Sequence, residues 1–216
     1  SSYASPILDS APAYINQDLM FPYLKGLTFV QSLYEEGGYA AINAAYQQPP
    51  VSTEQILHPQ RYPQDQPLDV TLDLSNIPGT GWRELDAGVM GEWYTYLILA
   101  YGHAEAARIS EKTAASAAEG WGGDAYSVLW NDEAGAGVSV LLSQWESEQD
   151  ADEFLSTLND YGTGRWQAPD AQSAERAEWQ ETSDGAVLML RSGLNTLWVI
   201  APNLNIASEI SASILK

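Results

Sequence analysis

Apolar positions along residues 19–36 recur with a helical period. Phe21, Leu24, Phe29, Val30, Leu33 and Tyr34, with Thr28 among them, form a broad face that predicts a helix. Pro22 suits the first turn of that helix, and Gly37-Gly38 stops it. A second short helix follows over residues 39–47 and ends before Pro49-Pro50. Ser52 opens a third, which Pro59 closes. Upstream, residues 1–18 carry Pro6 and Pro12 with little periodicity and read as an extended arm. Residues 60–67 hold Pro63 and Pro67 and read as loop. Beyond them Leu68, Val70, Leu72 and Leu74 alternate with Asp69, Thr71 and Asp73, the period of a half-buried strand or extended segment.

After the turn cluster Pro78-Gly79-Thr80-Gly81, the positions Met90, Trp93, Tyr94, Leu97, Ile98 and Tyr101 predict a buried helix over 86–101. An alanine-rich helix is expected over 104–119, stopped by Gly120. The pattern then changes to strands at 125–130 and 137–145, with Val138, Val140 and Leu142 on one face of the second. Ser147 caps a helix whose buried stripe is Ala151, Phe154, Leu155, Leu158 and Tyr161, with Gly162 as its stop. Residues 163–173 read as loop. Strands follow at 175–180, 186–191 and 194–200, the last two joined at Ser192-Gly193. Asn203 caps a final helix that aligns Ile206, Ile210 and Ile214. The class is α+β, with helices first and then a small antiparallel sheet packed with helices. The chain divides into the arm 1–18, a mainly helical region 19–120 and an α+β region 121–216. The latter two are also compatible with one continuous domain.

Composition changes this picture in three ways. Hydrophobic residues make up 45% of the 216, with 8 Trp and 12 Tyr, enough for a substantial core. A formal charge of -20, from 29 acidic and 9 basic residues, makes nucleic acid and anionic membrane surfaces poor partners. The charge is spread along the chain, as in a solubilising surface or a protein of a cation-rich setting. Cysteine is absent, which removes disulfides and thiolate chemistry, and two histidines are too few for a three-His metal site. No apolar run approaches the roughly 18 residues of a membrane helix. Ser rather than Met stands first, so a processed or trimmed product is expected.

The stretch from Pro49 to Tyr62 holds the most chemistry. Ser52 as N-cap and Gln55 three residues on make a capping box, and Val51 with Ile56 makes a hydrophobic staple. Glu54 complements the helix dipole, and Pro59 sets the stop. Glu54 and His58 are left over. Four residues apart, they would share a helical face and offer a carboxylate and an imidazole, both acceptable zinc ligands. The alternative is a solvent-side cap and a packed imidazole.

The run Pro49-Pro50-Val51-Ser52-Thr53-Glu54-Gln55-Ile56-Leu57-His58-Pro59 resembles a motif of bacterial and archaeal zincin-like extracytoplasmic proteins of largely unassigned function. Phe21-Pro22-Tyr23-Leu24-Lys25-Gly26, with Phe29-Val30 and Gly37-Gly38, is similar to the segment that precedes it there. Gly120-Trp121-Gly122-Gly123-Asp124-Ala125-Tyr126 resembles a later one. The likeness spans about residues 19–130, and more weakly to about 165. It implies an extracytoplasmic location and a His-Glu-x-x-His zinc helix upstream. This chain lacks that helix; His103-Ala104-Glu105-Ala106-Ala107 is its nearest local match and has no second His.

Weaker candidates remain. Glu146, Glu148, Asp150, Asp152 and Glu153 attract a cation or form a solvated helix start, and no Ca²⁺-loop pattern accompanies them. Glu92 is a buried acid or the partner of Arg83 or Arg108. No Gly-x-Ser-x-Gly elbow is present. The tryptophans stack sugars or, more simply, build the core. The leading expectation is therefore a non-catalytic binding or structural subunit of an extracytoplasmic assembly, with a protein partner. Its cofactor complement within this chain is none, with zinc only if an upstream segment supplies it. The alternatives are the C-terminal part of a zinc metallopeptidase and a carbohydrate-binding module.

Overall fold

The computed structural model describes residues 10–75 and 77–215. Helix α1 spans Ala13–Gln47 and α2 spans Thr53–Leu57, followed by a 3-10 turn at Pro59–Arg61. Strand β1 is Trp82–Gly88, helix α3 Gly91–Tyr101, a second 3-10 turn Glu105–Ala107, and helix α4 Glu111–Ala118. Then come β2 at Trp121–Asn131, β3 at Ala136–Trp145 and the helix α5 at Glu148–Trp166. Strands β4 (Ala171–Gln172), β5 (Arg176–Thr182), β6 (Gly185–Ser192) and β7 (Asn195–Ala201) lead to the closing helix α6, Leu204–Ile214. The fold is α+β.

All seven strands form one antiparallel sheet in the order β1-β2-β3-β7-β6-β5-β4. Each face covers its own core. One face carries Trp121, Trp145, Val187 and Met189 under α3, α4 and α5, with Leu99, Ala114, Phe154, Leu155 and Leu158 packed against them. The other face carries Leu129, Val138, Val140, Leu142, Leu197 and Val199 under Ala207 and Ile210 of α6. Val138, Val140 and Leu142 do share that face, as their alternation requires.

Several expectations are corrected. Of the arm expected over 1–18, residues 1–9 lie outside the described residues, and from Ala13 onward the chain is helix. Pro22 therefore sits well inside α1, where it has no N–H to offer the Asp18 carbonyl. The Asp18 side chain anchors this turn instead, accepting from Trp93 Nε1 at 3.1 Å and Tyr94 Oη at 2.9 Å. The helices expected over 19–36 and 39–47 follow one another without a loop, kinked where Gly38 has φ 61°.

Residues 68–74 form no strand. They run extended across the second sheet face, where Val70, Leu72 and Leu74 pack on the core. Residues 82–88 form the edge strand β1 rather than the start of a helix. Arg83, Glu84, Leu85 and Asp86 are exposed on it, so no alternation marks it. Because β1 pairs with β2, the sheet crosses the boundary expected at Trp121.

The helix expected over 104–119 is shorter, since Ser110 caps α4 by accepting from Thr113 N–H at 3.2 Å. Gly162 does not stop α5. A Cβ there would stand 2.8 Å from the Trp179 ring, so glycine lets the helix lie close on β5.

Candidate functional site

Two regions meet at α3, one at its N-terminal turn and one along its flank. The first contains the Ser52 segment. Ser52 Oγ accepts from Gln55 N–H at 3.2 Å, while Gln55 Oε1 accepts from Val51 N–H at 2.9 Å, a reciprocal cap. Val51 is 58% exposed, so the staple expected from it buries little. Pro59 biases His58 away from helical geometry, and His58 sits at φ -122°, ψ 77°, as the cap of α2 and not on its face. Glu54 and His58 therefore do not act as a ligand pair on one helical face.

Each finds a separate partner. His58 Nε2 lies 2.8 Å from Glu92 Oε1, on the first turn of α3. Glu54 Oε1 accepts from Arg61 Nη1 at 2.9 Å, and that same nitrogen donates to Asp65 Oδ2 at 3.0 Å and to Glu146 Oε1. Glu54, Asp65 and Glu146 place oxygens within 4.8 Å of one another, the spacing of a cation site. Arg61 Nη1 reaches all three, so the guanidinium sits where a cation would. A set of oxygen donors also suits a hard cation better than zinc. These residues do not fit a zinc centre as they stand.

The cluster is electrostatically loaded. Burial, against the pull of Arg61, raises Glu54 from its ordinary 4.5 to about 7. Glu92 is also raised, first by burial and in spite of its bond to His58, and its Oε2 has no hydrogen-bond partner among the described residues. The hydrogen bond to Glu92 raises His58 against the opposing effect of burial. All three shifts favour the protonated forms.

Trp121-Gly122-Gly123-Asp124 has a structural explanation. Asp124, 1% exposed, accepts from Met90 N–H at 2.7 Å, Gly91 N–H at 2.8 Å and Trp121 Nε1 at 2.6 Å. It thus caps α3 from the sheet. Gly122 O accepts from Leu68 N–H at 2.7 Å, and a Cβ on Gly123 would lie 2.5 Å from Leu68 O. The glycines let residues 68–74 cross the sheet.

The second region is a cavity of about 400 Å³ between α3, the first sheet face and the end of α5. Strand register builds its floor. One rung aligns Tyr126, Leu141 and Trp198; the next aligns Val128, Ser139 and Ile200. Leu97, Ile98 and Tyr94 of α3 form one wall, Tyr161 and Arg165 of α5 another, and Tyr14 of α1 lies at the margin. Ser139 is the small residue between two β-branched neighbours, and its size leaves the space open.

Among the described residues no carboxylate lines the cavity, despite the charge of the chain. Arg165 is held by Tyr161 Oη at 2.8 Å and Asp184 Oδ2 at 2.8 Å. Trp198 Nε1 is buried without an acceptor among the described residues.

Sequence reasoning singled out Glu54, His58, Ser52, Gln55, Val51, Ile56 and Pro59, which the structure gathers at the first region, and Glu92, which joins them through His58. It did not single out Ser139, Tyr126 or Ile200 as a site. The signal available was the second face of β3, where Ser139 interrupts an apolar rung. The acidic group at 146–153 is used internally: Glu146 on Arg61, Asp150 on Ser147, Asp152 on Arg191 and Glu153 on Ser116. Trp121, Trp145 and Trp179 are core residues.

No characterised protein and no solved structure matches the chain. A family model described as Domain of unknown function (DUF8575) matches residues 79–211, from the turn before β1 into α6. That span takes in the sheet, α3 and the cavity floor, and leaves out α1 and the Ser52 segment. The chain belongs to the DUF8575 family.

Proposed function

We propose that this chain is a non-catalytic binding domain, and that its binding site is the cavity over the Ser139 rung. The observation that carries this reading is a mainly apolar, aromatic-walled cavity of about 400 Å³, without a carboxylate among the described residues of its lining, on a chain of net charge -20. Apolar walls favour a guest with a hydrophobic body of ring size. Ser139 and His103, with Arg165 already paired to Asp184, favour a neutral polar end over a cationic one. The charged cluster supports a binding role over catalysis, since Arg61 and His58 are both spent on internal carboxylates. The resemblance of residues 19–130 to zincin-like extracytoplasmic proteins supports work outside the cytoplasm, as a subunit beside a protein partner.

Fluorescence titration with 1-anilinonaphthalene-8-sulfonate tests the site. The parent chain should bind the probe in the micromolar range, and Ser139→Phe should weaken binding at least ~10-fold with an unchanged circular dichroism spectrum. Binding that is indifferent to Ser139→Phe would defeat the assignment.

A further inference from the structure

Among the described residues, nothing covers an apolar stripe of helix α1. Leu19 is 55% exposed, Tyr23 71%, Leu27 65%, Val30 41% and Tyr34 50%, whereas Phe29 and Leu33 on another side are buried. The positions 23, 27, 30 and 34 step by four, three and four, the spacing of a coiled-coil seam.

We infer that this stripe is the interface with a second copy of the chain, paired antiparallel through α1. Three observations favour a second copy. The four-three-four spacing reads the same from either end, so an antiparallel copy meets a matching stripe. A twofold axis between Thr28 and Phe29 sets Leu27 against Val30 of the second copy and Tyr23 against Tyr34 of the second copy. The stripe is also electrically quiet: residues 13–34 carry only Asp18 and Lys25, within a chain of net charge -20. Asp18 is itself turned to Trp93 and Tyr94. Like-charged copies can approach on such a surface where they cannot on the rest. The stripe with Leu24 offers apolar and aromatic side chains between 41% and 71% exposed toward the ~800 Å² per partner of a standard interface.

This arrangement has its own signature. The contact is apolar while the two bodies repel, so salt strengthens it, the reverse of an interface held by ion pairs. Sedimentation velocity on the full chain, from about 0.05 M to about 1 M salt, should show a dimer whose association tightens at least ~10-fold. Leu27→Glu should weaken it ~100-fold or more with the helical signal kept. The chain has no cysteine, so the register is directly testable. Leu27→Cys and Val30→Cys proteins, mixed and mildly oxidised, should cross-link with each other in preference to themselves. A monomer at every salt concentration overturns the inference, as does a dimer indifferent to Leu27→Glu. Adsorption of a monomeric chain to zwitterionic vesicles through this stripe also overturns it.

Discussion

The charged cluster around Arg61 and the cavity over Ser139 lie on either side of α3 and are opposite in kind. In the cluster, one guanidinium answers three carboxylates and an imidazole answers a fourth. In the cavity, the lining is mainly apolar, and among the described residues it holds no carboxylate. Titratable side chains look like chemistry in a sequence, yet here, Glu92 Oε2 apart, they pair with one another and hold α2, α3 and the end of β3 together. The cavity is made by a missing side-chain volume, which attracts no notice in a sequence. Satisfied polar groups stabilise a fold, and unfilled apolar space receives a guest.

The largest effect on this comparison should come from Asp124→Ala. It orphans three buried donors at the start of α3, which both regions share, and should cost about 4 kcal/mol in chemical denaturation. Arg61→Met comes next. It strands buried Glu54 and should cost about 3 kcal/mol at pH 8. At pH 5 the loss should be smaller, because Glu54 then carries its proton. An equal loss at both pH values would show that Glu54 is not the group Arg61 serves.

The cluster should also set the pH dependence of stability. Glu54 binds its proton more tightly when folded, with its value raised from 4.5 to about 7. Its contribution is therefore full below its unfolded value and is lost as pH rises towards 7. Raised His58 acts in the same direction, with stability present below its ordinary value and lost above its folded one. Unfolding free energy should fall by roughly 2 kcal/mol from pH 4.5 to pH 7.5, and Glu54→Gln should flatten that limb. A curve that rises over this interval would contradict the cluster's assigned protonation. The smallest effect belongs to the cavity: Ser139→Val should add about 0.5 kcal/mol, by completing a β-branched rung, while reducing probe binding.

Much of the fold was legible because periodicity survives packing. The alternation of Val138, Val140 and Leu142, the caps Ser52, Ser147 and Asn203, and the stripe of α5 are local signals, and the structure keeps them. β1 was illegible because an edge strand exposed on both faces needs no alternation. Gly162 misled because a glycine that ends a helix and one that admits Trp179 look alike in a sequence. At the charged cluster, sequence reading found Glu54 and His58 and set Glu146 in a separate acidic group, but it did not find Arg61 or bring Glu146 to the same point, which they reach from a 3-10 turn and from the end of β3.

The sequence by itself determined the α+β class, the reciprocal cap at Ser52 and Gln55, and the absence of thiol and three-His chemistry, since these depend on neighbours a few residues apart or on counting. Only the tertiary structure decided what Glu54, His58 and Asp124 do, because Arg61, Glu92, Met90 and Gly91, which they hold, stand seven to thirty-four residues away. It alone decided where a guest would sit. A cavity exists only when strands in register place Val128, Ser139 and Ile200 side by side beneath α3.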